Sequence, residues 1–195
     1  SAAIARWLPE YLDERAVRVI EGGVEETTEL LAECFDHIFY TGNGAVGRII
    51  ARAAAEHLTP ITLELGGKSP LYVDDSVDLK ATAKRIAWAK YVNLGQTCVA
   101  PDYVLGTAEV LCELEPHLTQ AIHDLYGNAA KENPDYGRII SRKQFDRLSG
   151  YLGDGRIVTG GAHDADDLFI EPTVLADVSR DASIMQSEIF GPILP

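Results

Sequence analysis

The sequence has no uninterrupted apolar run approaching the roughly 18–20 residues that cross a bilayer, and no signal-peptide pattern opens it. Cysteine is scarce. Cys34, Cys98 and Cys112 are odd in number and lack metal-ligand spacing, which speaks against a disulfide framework and for a reducing, cytoplasmic compartment. Positive charge is short as well: 17 Lys and Arg face 30 Asp and Glu, a net charge of −13. A chain this acidic is repelled by a phosphate backbone, so no nucleic-acid partner is expected, and an anionic membrane surface is disfavoured for the same reason. The five histidines show no metal spacing, no nucleophile-elbow sequence supports Ser/His/Asp chemistry, and the acidic stretch 164–167 lacks the spacing of a calcium loop. Repeats, low-complexity segments and flexible linkers are all missing. Methionine occurs once, at Met185, residue 1 is serine, and residues 188–195 read as a turn entering a strand. Those features lead to the expectation of a piece of a longer polypeptide.

What is there is an ordinary globular composition, 195 residues with 46% hydrophobic and 24% charged, enough to bury a substantial core. The first part alternates helical and strand patterns. Helices are predicted over 3–12, 26–35 and 45–58, and strands over 17–20, 37–41 and 61–65. In the third helix Val46, Ile49, Ile50, Ala53, Ala54 and His57 form one apolar stripe, and Pro60 ends it. Short connections between strands and helices read as part of a Rossmann-like, doubly wound parallel sheet, an α/β fold. The predicted boundary lies at Gly66-Gly67, giving units 1–66 and 67–195. Beyond it the spacing predicts strands over 71–73, 103–105, 156–158 and 169–175. Helices are predicted over 79–92, around Leu111 to Leu125 with Pro116 starting or kinking it, and over 141–152.

Three places carry candidate chemistry. Gly42, Gly44 and Gly47 fit G-x-G-x-x-G between a strand and a helix, where glycine admits a pyrophosphate to the backbone and a helix N-terminus offers free N–H groups. The same residues also describe a tight turn that binds nothing. Glu64 stands one residue from the carboxyl end of its strand, on the face shared with Thr62. In a parallel sheet that end lies along the edge where ligands bind, so the carboxylate could serve as a general base or be a solvated strand-end residue. Cys98 lies in the polar, glycine-led turn Gly95-Gln96-Thr97-Cys98. A free thiol, with a pKa of about 8.5, needs help to ionise near neutrality; the alternative is a buried structural cysteine. Cys34, in a helical apolar stripe, and Cys112, beside Leu111 on a helix, are read as structural.

Together these motifs resemble the signatures of the aldehyde dehydrogenase superfamily. Leu63-Glu64-Leu65-Gly66-Gly67-Lys68-Ser69-Pro70, Gly95-Gln96-Thr97-Cys98, Glu188-Ile189-Phe190-Gly191-Pro192 and the turn Thr41-Gly42-Asn43-Gly44-Ala45-Val46-Gly47 follow in the family's order. Cys98 to Tyr103 and His57 to Pro60 look most like its class 3, fatty-aldehyde and coniferyl-aldehyde group. The resemblance implies part of a dinucleotide-binding domain followed by most of an α/β catalytic domain. It implies an NAD- or NADP-dependent oxidation of a small-molecule aldehyde to a carboxylic acid, with Cys98 as nucleophile and Glu64 activating the water that hydrolyses a thioester. Gly42, Asn43, Gly44, Ala45, Val46, Gly47 and Leu65 would then face the cofactor, Glu188 would hold the nicotinamide ribose, and Phe190 would lie beside the ring. It implies further that the full-length protein is a homodimer, that any membrane attachment lies outside this segment, and that the segment alone does not turn over, since the family's oxyanion asparagine falls upstream of Ser1. Gly44 departs from the family pattern, which has a larger residue there. Two rival readings remain: a CoA-acylating member, which commonly lacks the Glu64 base, and a non-catalytic protein that reuses the fold.

Overall fold

The structure is a computed structural model that describes all 195 residues. They form two compact units, Ser1–Leu65 and Gly66–Pro195, each with its own elements.

In the first unit, helices α1 (Ala2–Tyr11) and α2 (Val24–Leu30) precede strand β1 (Ile38–Gly42), helix α3 (Gly44–Glu56) and strand β2 (Ile61–Leu65). β1 and β2 pair in parallel across the α3 crossover, and their register sets Thr41 against Glu64 and Gly42 against Leu65. Only one stripe of α3 is buried, through Gly47, Ile50 and Ala54. Two expectations fail here. Residues 17–20 form no strand, for their backbone finds no ladder partner and Val17 and Ile20 stay exposed. The second helix stops at Leu30, well before Cys34, which therefore lies in an exposed loop and not in a buried stripe.

The second unit opens with another strand–helix–strand crossover: β3 (Pro70–Tyr72), α4 (Leu79–Tyr91) and β4 (Tyr103–Leu105), the strands again parallel. Asp78 caps α4 by accepting from the Ala81 N–H at 2.9 Å. Helix α5 (Ala108–Tyr126) follows, with Thr107 as N-cap and Gly127, at φ +74°, as C-cap, and it continues across Pro116. Its buried face is Val110, Leu114, Leu118, Ala121 and Ile122. Cys112 sits two residues from Val110, about 200° round the helix, and is exposed, so the reading of Cys112 as structural fails too.

After α6 (Arg142–Ser149) come β5 (Arg156–Thr159), the two-residue strands β6 (His163–Asp164) and β7 (Phe169–Ile170), β8 (Thr173–Ala176) and β9 (Ile193–Leu194). β8 pairs antiparallel with β5 and parallel with β9. The single strand expected over 169–175 is two, because Pro172 has no N–H to give a ladder. The Val104 N–H donates to the Pro195 carbonyl at 2.9 Å, tying β4 to the end of β9. Two apolar clusters fill this unit. One gathers α4 and α5 around Ile86, Tyr91 and Leu114. The other packs Leu94, Tyr136, Phe145, Leu148, Ile184 and Ile189 together. No helix of the chain is long and apolar enough to cross a membrane.

Candidate active site

In the first unit, the turn after β1 is built as a helix entrance. Asn43 is the N-cap of α3, its side-chain oxygen accepting from the Val46 N–H at 3.0 Å, while its carbonyl accepts from the Gly47 N–H at 3.0 Å. The N–H groups of Gly44 and Ala45, at the first two helical positions, have no intrahelical acceptor and carry the positive end of the helix dipole. At Gly47 an added Cβ would come within 3.1 Å of Leu65 Cδ2, so glycine there lets the helix entrance close onto the end of β2. Gly44 differs: a Cβ would meet nothing nearer than Arg48 Nη1 at 3.8 Å, so a side chain could start there without a clash. Arg48 folds back onto the turn, donating to the Gly44 carbonyl at 3.2 Å. The parallel register brings Glu64, exposed, to the same sheet edge as this turn. The unit thus offers free N–H donors suited to a phosphate group and, beside them, a solvent-reachable carboxylate.

The second unit carries Cys98 and the 188–190 segment. Cys98 is exposed on a turn closed by the Ala100 N–H donating to the Thr97 carbonyl at 3.1 Å. Just before it, Asn93, Leu94 and Gly95 all have positive φ, +51°, +57° and +67°. Asparagine and glycine tolerate the left-handed region; leucine does not, and such a residue costs about 1–3 kcal/mol unless its surroundings enforce it. Leu94 is enforced by burial, its side chain lying in the apolar core. Glycine is required at 95, where a Cβ would press on the Gly191 carbonyl oxygen at 2.5 Å. That approach sets the Cys98 turn against the Phe190-Gly191 backbone.

Glu188 lies over Gly66 and Gly67. A Cβ on Gly66 would collide with its carboxylate. Burial raises the Glu188 carboxyl above its ordinary value and Asp102 adds to the rise, while the Gly67 N–H, Arg147 and Lys90 oppose it. The backbone of this segment is held from several sides. Buried Asp102 accepts from the Ile189 N–H at 2.8 Å and forms an ion pair with Lys68. Lys68 Nζ donates also to the Ile184 and Ser187 carbonyls, at 3.2 and 3.1 Å. Arg147, from α6, donates to the Glu188 and Ile189 carbonyls at 3.3 and 2.6 Å. Phe190 is half-buried, with φ +49°.

Sequence reasoning singled out none of Lys68, Lys90, Gln96, Asp102 and Arg147. Lys68 and Asp102 stand inside quoted motifs, and Lys90 continues the stripe Leu79, Ala83, Ile86, Ala87 of α4, a core position given to a cation. Lys90 is 1% exposed. Burial pushes its ammonium down from 10.5 to about 8; Lys68 adds to the fall, and Asp102 and Glu188 oppose it. A lysine whose folded pKa is depressed binds its proton more weakly in the folded state. Its penalty is therefore full below about pH 8 and is relieved as pH rises towards the unfolded value. Relative to Lys90→Met, the unsubstituted protein should gain about 2 kcal/mol of stability between pH 7 and pH 9.5. Paired denaturation curves at the two pH values test this, and parallel pH dependence in both proteins would refute it.

The Aldehyde dehydrogenase family model matches residues 1–195. Aldehyde dehydrogenase family 3 member A2 of Macaca fascicularis is 52% identical over 192 residues, which cover 98% of this chain and 40% of that protein. The dimeric NADP-preferring aldehyde dehydrogenase of Rattus norvegicus is 50% identical, with 98% of this chain and 42% of that protein covered. Among solved structures, the substrate-bound state of Staphylococcus aureus AldH superposes with a TM-score of 0.94 at 45% identity, covering 100% of this chain and 43% of that one. The Mycobacterium tuberculosis aldehyde dehydrogenase complexed with NAD+ does so with a TM-score of 0.87 at 37% identity, covering 99% and 42%. The chain thus spans about two fifths of the length of the relatives it matches.

Proposed function

The chain belongs to the aldehyde dehydrogenase family, with the family's α/β fold over the part it spans, and on that premise we propose that the full-length protein oxidises an aldehyde to a carboxylic acid with NAD or NADP. The observation that carries this reading is the exposed Cys98 on a turn braced against the Glu188–Pro192 segment. An exposed thiol on a held backbone can meet a carbonyl carbon; a buried structural cysteine could not.

Each residue then has a task. Cys98, as thiolate, adds to the aldehyde carbon and afterwards carries the acyl group as a thioester. Glu64 takes a proton from the water that hydrolyses that thioester, returning Cys98 to its starting form. The N–H groups of Gly44 and Ala45 at the entrance of α3 receive the cofactor pyrophosphate, with Asn43 fixing the turn and Gly42, Val46, Gly47 and Leu65 shaping its floor. Glu188 receives the nicotinamide ribose and Phe190 flanks the ring. Bound NAD or NADP supplies the acceptor for the aldehyde hydride. The rat relative's name, dimeric and NADP-preferring, supports a homodimer and the use of either dinucleotide. The three free cysteines support a reducing, cytoplasmic setting.

The test incubates the full-length protein with an aldehyde and NAD or NADP, follows reduced-nicotinamide absorbance, and assays the product with and without CoA. Free acid formed without CoA is expected. Product formed only as acyl-CoA would replace hydrolysis by CoA transfer, and no turnover with any aldehyde would favour a non-catalytic role.

A further inference from the structure

The side chain of Gln96 uses its acceptor and its donor nitrogen on backbone groups alone. Its Oε1 accepts from the Ile140 N–H at 2.9 Å. Its Nε2 donates to the Arg138 carbonyl at 3.2 Å and to the Asn93 carbonyl at 3.4 Å. The Gln96 carbonyl in turn accepts from Asn93 Nδ2 at 3.0 Å. One side chain, two residues before Cys98, therefore closes the left-handed Asn93–Gly95 run on one side and grips residues 138–140 on the other. A second contact runs in parallel, because a Cβ on Gly137 would meet Leu94 Cδ1 at 3.0 Å; glycine there lets the strained leucine seat against the same segment.

The gripped segment is itself anchored. Arg138 donates to the carbonyls of Tyr136, Gly137 and Lys131 at 3.1, 2.9 and 2.8 Å. It also pairs with Asp167 at 2.9 Å and lies over the Phe169 ring at 5.3 Å. Residues 137–140 have no helix or strand of their own, so their rigidity rests on these side chains. The Cys98 turn leans on this buttress through Gln96.

We propose that Gln96 is a positioning residue that fixes the Cys98 turn by tying it to the Gly137–Ile140 segment. This rests on the reading of Cys98 as nucleophile. The side chain reaches no reacting atom in this arrangement; it acts by holding a backbone whose left-handed conformation Leu94 would not adopt freely. A displacement of the thiol by about 1 Å can cost a hundredfold in rate, so the grip is felt in the chemical step and much less in substrate affinity.

The test compares Gln96→Met and Gln96→Glu with the unsubstituted full-length protein. Methionine keeps the length and loses all three bonds. Glutamate keeps an acceptor for the Ile140 N–H and loses both donations. Amide exchange at Ile140 should accelerate at least tenfold in Gln96→Met and stay near normal in Gln96→Glu. The kcat should fall about tenfold to a hundredfold in Gln96→Met and less in Gln96→Glu, with KM within a few-fold in both. A merely structural glutamine would raise exchange and lower the melting temperature yet leave kcat untouched, and that outcome overturns the proposal. If Gln96→Met melts too low to assay, Gln96→Glu decides alone: reduced kcat with a protected Ile140 amide supports the proposal, and unchanged kcat overturns it. If Cys98 is not the nucleophile, Cys98→Ser will turn over normally while Ile140 exchange still responds to Gln96→Met, so the two failures are told apart.

Discussion

Cys98→Ser in the full-length protein should abolish aldehyde oxidation and leave the melting temperature nearly unchanged. The side chain is exposed on its turn, and the hydrogen bond that closes the turn belongs to the backbones of Thr97 and Ala100. Serine is slightly smaller, and its hydroxyl can be solvated, so the fold loses almost nothing. The chemistry loses its nucleophile, because sulfur attacks a carbonyl carbon far more readily than a serine hydroxyl does. Cys34→Ser and Cys112→Ser supply the contrast. Both positions are exposed, so each change should stay within about 0.5 kcal/mol in stability and leave turnover normal. Turnover and thermal denaturation of the three variants side by side check this, and near-normal activity in Cys98→Ser would remove the assignment.

Glu64→Gln should slow deacylation by roughly 10²–10⁴-fold, the usual contribution of a general base. Glutamine keeps the size of the side chain and can hold a water, but it cannot take the proton. Acylation needs the thiolate and not the water, so a burst of reduced cofactor near one per active site should precede a slow steady state. If Glu64 instead serves to deprotonate Cys98, the burst itself slows, and higher pH partly restores it. If it is only a solvated strand-end residue, neither phase changes. Stopped-flow absorbance separates the three, and an unaltered burst with an unaltered steady state would end the catalytic assignment. The parallel register places Glu64 opposite Thr41, at the same strand end as the α3 entrance.

Much of this was legible before any coordinates. The strands Ile61–Leu65 and Tyr103–Leu105 follow their predicted bounds, because β-branched and aromatic residues there are closed off by Gly66 and by Gly106. Helices α3, α4 and α5 follow from apolar spacing, and the structure adds the caps that fix their ends, Asn43, Asp78, Thr107 and Gly127. What failed depended on partners that spacing does not encode. Val17–Ile20 has strand composition but no neighbour to bond. Cys34 and Cys112 were placed by proximity to apolar residues, yet one lies beyond its helix and the other faces away from the buried side. The same gap hid the groups that hold the 188–190 segment. Asp102 meets Ile189, and Lys68 meets Ile184 and Ser187, across sequence separations of 87, 116 and 119 residues; a local pattern carries no trace of them.

The bond from the Val104 N–H to the Pro195 carbonyl has a consequence for the order in which the polypeptide matures. During synthesis β3, α4 and β4 emerge long before residues 193–195, so β4 keeps one edge bare until β9 arrives. Closing so long a loop costs entropy that grows only slowly with its length, but pairing between distant segments is slow to form. Over that interval the nascent chain presents Tyr103-Val104-Leu105 to its surroundings with an open row of backbone donors and acceptors. Ribosome-bound intermediates stalled short of residue 193 should therefore engage strand-capping chaperones or neighbouring chains, and the emergence of residues 193–195 is the event that shields them.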